Sequence, residues 1–235
     1  MSSTITVQET VDWAKGFVDF ESLTIASGNE PTITNANVIL QSIIGPPFKW
    51  NWNRGSVSFS TTSGTQDYAT AVSNFGFLEG GSVTLSGSSF AFKEVKQELT
   101  VGTELGRPQS IAPQLDDNAG NITFRFLPVP DATYTVVPYF QKSAALITSL
   151  SSTWAPIPDK FQYLYSWGFL ALTAAYADDD KFPMYNQKFI AHLLGAQQGL
   201  SETERNMFLE TWNIITRQEA LVQLKAQQGR QALGV

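Results

Sequence analysis

Apolar and polar positions change their period twice along the chain. Thr6 and Glu9 stand at capping-box spacing, and Val7, Val11, Ala14 and Val18 follow on one helical face, which predicts a helix over residues 5–21. Gly28-Asn29-Glu30-Pro31 breaks the chain, and a second helix is expected over 34–44. Gly45 suits the position just past that helix, and Pro46-Pro47 stops it from continuing.

From residue 48 the period drops to two. Phe48, Trp50 and Trp52 alternate with Lys49, Asn51 and Asn53, and Val57 and Phe59 continue the alternation beyond Gly55. Further strands are expected near 75–78, 82–85, 91–99, 122–126 and 134–141, separated by Gly, Ser, Asn and Pro. Residues 100–120 read as one long loop, a length that in a compact domain marks a functional or interacting segment.

Helical spacing returns at residue 158. Phe161, Leu164, Gly168, Leu172 and Ala175 mark one face, while Tyr163, Trp167, Leu170 and Ala174 make the other face apolar too. A helix apolar nearly all round is buried on several sides. Asp178-Asp179-Asp180 reads as an interhelix turn whose last Asp caps the next helix. Phe182, Tyr185, Phe189, Leu193 and Ala196 form that helix's stripe, Pro183 falls in its first turn, and Gly199 closes it. Ser201 and Glu204 form a second capping box, followed by Phe208, Trp212, Ile215 and Val222 on one face. Beyond Glu219 the chain carries Lys225 and Arg230 and no acid, and residues 227–231 have no apolar face; this tail is expected either to be disordered or to order only on a partner.

Helices, strands, helices: the expected fold is α+β, a helical bundle with an inserted small antiparallel β domain, sandwich or barrel. The expected divisions are 1–47 for the N-terminal helices, 48–145 for the β domain, 146–200 for the C-terminal helices, and 201–235 for a last helix and docking tail.

Composition narrows the chemistry. Charged residues are 15% of the chain, so Ser, Thr, Asn and Gln carry much of its polarity. The net charge of -6, with no basic block, argues against clamping nucleic acid but suits DNA sliding past without sticking. The chain has no cysteine, which removes disulfides, thiolate metal sites and thiol nucleophiles. Residues 1–9 show no signal-peptide pattern, and the most apolar stretch, 163–177, is shorter than the roughly 20 residues a membrane helix needs, so no membrane span is expected.

No motif for catalysis stands out. The single histidine, His192, lies beside an apolar helical stripe and reads as a core-edge or subunit-contact residue; no Gly-x-Ser-x-Gly elbow precedes it. Asp178–Asp180 reads as an acidic turn rather than a metal cluster. The run from Asp116 to Asn121 departs from a calcium loop in the placing of its Gly and in lacking the closing Glu. Gly80-Gly81 introduces a strand, not the helix a phosphate loop requires. Trp50 and Trp52, two apart, share a strand face that packs on a helix or stacks a sugar. No cofactor and no metal are expected, and the chain is not expected to be an enzyme.

Residues 66–194 carry a series of short motifs in a fixed order. Gln66-Asp67-Tyr68 leads into the β region, and Gly106-Arg107-Pro108 follows a strand. Pro128-Val129-Pro130-Asp131 with Tyr134 steps into a strand ending Tyr139-Phe140-Gln141. Leu146-Ile147-Thr148-Ser149-Leu150 and Ile157-Pro158-Asp159 precede the apolar helix, the acidic turn and the second helix. This order and spacing resembles the head–tail adaptor (neck, or connector) proteins of tailed bacteriophages; residues 73–87 depart from the pattern. The resemblance implies a virion protein assembled in the host cytoplasm. It implies a homo-oligomeric ring, typically a dodecamer, that joins the portal protein to tail or nozzle proteins and lets genomic DNA pass without specific binding. It implies that residues 201–235 dock on the portal, with Phe208, Trp212, Ile215, Lys225, Arg230 and Val235 as candidate portal contacts. Tyr163, Trp167, Leu170 and Phe189 are the candidate subunit contacts. Two other readings are another virion structural or binding module, a tail or decoration protein with Trp50 and Trp52 as candidate glycan contacts, and a carboxylate hydrolase of the cell wall.

Overall fold

A computed structural model describes residues 3–18, 32–116, 120–177, 179–197 and 199–216. The chain forms two compact units. One contains residues 1–48 and 144–235; the other contains 49–143.

The first unit is helical. Helix α1 spans Val7–Ala14, shorter than the sequence spacing predicts, and opens with the expected capping box: Glu9 N donates to Thr6 Oγ1 at 3.2 Å and Thr6 N donates to Glu9 Oε2 at 2.7 Å. The far half of the predicted 5–21 helix falls partly outside the described residues. Helix α2 spans Thr32–Ile44 and buries Ala36, Ile39, Leu40, Ile43 and Ile44, the i, i+3, i+4 stripe of a one-sided helix. It ends where Gly45 N donates to Gln41 O at 2.8 Å; a Cβ on Gly45 would stand 2.7 Å from that same oxygen.

Helix α3, Gln162–Tyr176, follows a short 3-10 turn at Asp159–Phe161 and buries residues on every side, among them Leu164, Tyr165, Phe169, Leu170, Leu172 and Ala175. It packs on α1, α2 and α4, which spans Phe182–Gly195. Gly168 permits this: a Cβ there would meet Ile39 Cδ1 and Phe189 Cε2, each at 2.9 Å. The expected Asp180 cap of α4 is replaced. Lys181 is the N-cap residue and makes no side-chain cap bond, while its own N–H donates to Asp179 Oδ1 at 2.7 Å. Residues 202–216 form the described part of α5, opened by the predicted Ser201–Glu204 box.

Among the described residues, the eleven strands belong to the second unit. They are β1 Arg54–Ser56, β2 Phe59–Ser60, β3 Asp67–Ala71, β4 Phe75–Leu85, β5 Ser88–Ala91, β6 Glu94–Val95, β7 Leu105–Gly106, β8 Ser110–Asp116, β9 Asn121–Leu127, β10 Val129–Pro130 and β11 Thr135–Lys142. One sheet runs β1-β11-β4-β5 with β2 also on β11, a second runs β3-β9-β8-β6, and β10 pairs β7 in parallel. Val83, Val136 and Phe140 from the first sheet share a core with Ile111, Ile122, Phe124 and Phe126 from the second. Along β9, the residues Ile122, Phe124 and Phe126 enter that core at period two.

The expected fold class is therefore corrected. The protein is a sheet-rich mixed α/β molecule, with eleven strands in three sheets among the described residues, not a helical bundle carrying a small inserted domain. The shortfall lies in strands whose residues are small, polar or few. The expected loop 100–120 contains β7 and β8. Pro113 interrupts the strand pattern of β8, and the structure accommodates it at a register shift between Pro113 and Leu115. The strands expected at 75–78 and 82–85 are one strand, β4, running through Gly80-Gly81. A Cβ on Gly81 would strike Val137 O at 2.7 Å and Phe92 at 2.9 Å, so the glycine that reads as a break is a close approach. The strand expected at 48–53 is not one: residues 51–53 turn, and pairing starts at Arg54. The strand expected at 91–99 narrows to Glu94–Val95.

Candidate functional site

Three pairs at i, i+4 spacing converge on one face of the helical unit: Trp13 and Phe17, Tyr163 and Trp167, Lys188 and His192. Their rings touch. Trp13 meets Trp167 edge-on at 5.4 Å between centroids and Phe17 at 4.8 Å; Phe17 meets Trp167 at 6.0 Å and Tyr185 at 6.4 Å. His192 lies nearly parallel to Trp167 at 6.5 Å and edge-on to Tyr163 at 5.2 Å. Lys188 Nζ stands 4.3 Å from the centroid of the Trp167 ring, within the range of a cation–π attraction. Trp13, Tyr163 and Trp167 are half-buried, and Phe17, Lys188 and His192 are exposed. This is a partly open aromatic patch with a cation on it. In this patch His192 lies against the rings of Tyr163 and Trp167.

The candidate subunit contacts divide accordingly. Tyr163 and Trp167 sit in the patch, whereas Leu170 and Phe189 are fully buried and support it from within. Among the candidate portal contacts, Phe208 and Trp212 are also interior. Phe208 packs against Phe48 at 4.9 Å, Trp212 packs against Phe189 at 4.8 Å, and the indole N–H of Trp212 donates to Asn186 Oδ1 at 2.6 Å. Ile215 is half-buried. Lys225, Arg230 and Val235 lie outside the described residues.

The carboxylates with identifiable partners are locked. Both guanidinium nitrogens of Arg125 that face Asp67 donate to it at 2.7 Å, and Arg125 Nη1 also donates to Leu99 O at 2.9 Å. The hydrogen bond from Arg125 holds the Asp67 carboxyl below the usual range. Glu79 accepts from Arg54 through both oxygens and from Gln141 Nε2 at 2.9 Å. Burial pushes the Glu79 carboxyl up, but the bonds from Arg54 and Gln141 outweigh it and hold the group low. A general acid needs the opposite shift. Tyr134, buried and donating to Asp131 Oδ1 at 2.6 Å, is pushed up to about 12, first by burial and then by that carboxylate.

The motifs that carry the adaptor resemblance act as staples. Gln66 Nε2 donates to Thr100 O at 3.2 Å, and Gly102 N donates to Gln66 Oε1 at 3.3 Å, pinning the segment after Leu99. Asp159 accepts from Thr4 N at 2.9 Å, Thr4 Oγ1 at 2.8 Å and Ser3 Oγ at 2.9 Å. Trp50 is buried at 3% exposure and Trp52 is half-buried, so the pair does not offer two open ring faces to a sugar. Among the described residues there is no cluster of three potential metal ligands and no helix long and apolar enough to cross a membrane.

Sequence reasoning missed Trp13, Phe17 and Lys188 as partners of Tyr163 and Trp167. The i, i+4 spacing of each pair was a signal for it. It also missed a groove between α2 and α5, lined by Val38, Gln41, Pro46, Met207, Trp212 and Ile215 among others, with a volume of about 680 Å³.

No protein-family model matches the sequence, and no curated protein matches it.

Proposed function

We propose that this chain is a structural virion protein, the ring-forming adaptor between the portal and the tail of a tailed bacteriophage. The observation that carries the reading is the aromatic patch of Trp13, Phe17, Tyr163 and Trp167 with Lys188 and His192. Large rings left half-open on a rigid helical face are the anchors of protein interfaces, where Trp and Tyr dominate the energy. The motif order over residues 66–194 supplies the family, and the locked carboxylates suit a structural role. In this reading Tyr163 and Trp167 face the neighbouring subunit. Portal contacts fall to the end of the chain, at Lys225, Arg230 and Val235, because Phe208 and Trp212 are committed to the core.

The test is native mass spectrometry of the purified protein, alone and mixed with portal rings. Discrete ring masses, or stoichiometric addition to the portal, are expected. A monomer that leaves the portal unchanged overturns the proposal.

A further inference from the structure

The groove between α2 and α5 is walled on one side by a helix without a single charged residue and on the other by Met207, Trp212 and Ile215. Met207 is 50% exposed at its edge. An apolar channel of this kind in water costs free energy unless something covers it.

The chain itself holds a segment of matching chemistry. Residues 217–235 are 19 in number and begin two positions beyond Ile215, at one end of the α5 wall. Within them Ala220, Leu221, Val222 and Leu224 put four apolar side chains into five positions. The segment carries Arg217, Lys225 and Arg230 against Glu219, a net charge of +2. Residues 202–216 carry Glu202, Glu204 and Glu210 against Arg205, a net charge of -2. Reach is ample. From Met207 to Ile215 the wall rises about 12 Å. After a turn of about four residues, another four extended residues span that distance. A tether this short holds its end at an effective concentration on the order of millimolar, which favours the chain's own segment over a free partner.

We propose that the groove is the docking site of the chain's own residues 217–235, seated through the apolar run at 220–224. On the adaptor reading, and resting on it, the seated tail is held against its own subunit until the portal takes it, so that free subunits do not engage one another through their tails.

The absence of cysteine gives a direct test. The full-length chain carrying Gln41→Cys and Leu224→Cys is oxidised at low protein concentration beside a control pairing Leu224→Cys with Asp12→Cys, an exposed position on α1 of the same unit that does not line the groove. The groove pair is expected to form an intramolecular disulfide at least about tenfold faster than the control. Equal rates overturn the proposal, and a product of dimer mass overturns it in favour of a second copy as occupant. As a second measurement, the full chain with Leu221→Asp and Leu224→Asp is expected to bind the dye bis-ANS several-fold more than the unaltered chain; unchanged dye binding overturns the proposal. Both readouts use the protein alone. A failed cross-link with portal addition intact removes only the docked tail, and a clean cross-link in a chain that ignores the portal removes only the adaptor reading.

Discussion

The ties that join distant parts of the β unit differ in kind from those of the helical unit. Between strands, Arg54 grips Glu79 and Arg125 grips Asp67, each through two nitrogens. Between helices and loops the ties are mostly neutral. The indole of Trp154 donates to Thr10 Oγ1 at 2.8 Å, that of Trp212 donates to Asn186, and Asn37 exchanges two bonds with the backbone of Ile147. Rings then fill the helical core: Trp154 stacks on Tyr165 at 4.6 Å and meets Phe169 edge-on. Arg125 on β9 reaches Asp67 on the neighbouring β3, while Arg54 on β1 reaches across β11 to Glu79 on β4, so forked ion pairs tie strands of one sheet together. Helix α3 is buried over most of its surface, and there fit replaces charge. Lost volume should therefore cost either unit, and the β unit should add the pH response of its two forked ion pairs.

The largest effects test the volume side. Trp154→Ala in the helical unit and Phe124→Ala in the β unit each remove a fully buried ring, and each should cost about 3–5 kcal/mol. Hydrogen exchange should rise first in the unit that carries the substitution. Uniform loss of protection across both units in either variant would break the division at residues 48/49 and 143/144.

Next in size is the aromatic patch. Trp167→Ala removes the ring that Trp13, Phe17, Lys188 and His192 share, and interface anchors of this type contribute about 2 kcal/mol or more to association. On the proposed ring-forming role, the expected result is loss of ring species by native mass spectrometry with the far-ultraviolet circular dichroism of the subunit retained. Rings of unaltered abundance would confine the patch to a role within the subunit.

The charge side is tested at Glu79. Its folded carboxyl is held low, so its contribution is present above the ordinary carboxylate value of about 4 and fades as pH falls through the folded value. Glu79→Gln should cost about 2 kcal/mol at neutral pH, since Arg54 and Gln141 both lose a charged acceptor. It should also flatten the acid limb of a urea-midpoint-against-pH curve. A variant with the same acid limb as the unaltered protein would mean that Asp67 and the exposed carboxylates dominate the response.

Periodicity made some of this legible and hid the rest. Helix α2 is readable because Ala36, Ile39, Leu40 and Ile43 all point one way, and β9 because Ile122, Phe124 and Phe126 alternate without interruption. The fold class was misjudged because β3 and β5 carry a single ring each, Tyr68 and Phe90, among Asp, Ser, Ala and Thr, and one ring makes no apolar beat. In β8, Pro113 looks like a breaker, yet it sits at a bulge. Phe208 and Trp212 were assigned outward because a stripe reports only that a face is apolar; Phe48 and Phe189, distant in sequence, are what cover it. The patch was half-legible: Tyr163 and Trp167 announce themselves, while Lys188 joins them only through the packing of α4 on α3.

The smallest expected effect compares the two capping boxes, which look alike in sequence. In α5, Ser201 Oγ accepts from Glu204 N at 3.2 Å. In α1 the Thr6 side chain does the same for Glu9, but two further amides of the first turn are also satisfied: Val7 N donates to Ser152 O and Gln8 N to Leu150 O, both at 2.9 Å. Those backbone bonds do part of what a cap does. Ser201→Ala should therefore cost the full cap, about 1 kcal/mol, and speed amide exchange over residues 202–216 about fivefold. Thr6→Ala should raise exchange over Val7–Ala14 by clearly less. Equal acceleration in both helices would mean that the strand-like pairing around Thr6 and Thr153 adds nothing to α1, and that its first turn depends on the cap alone.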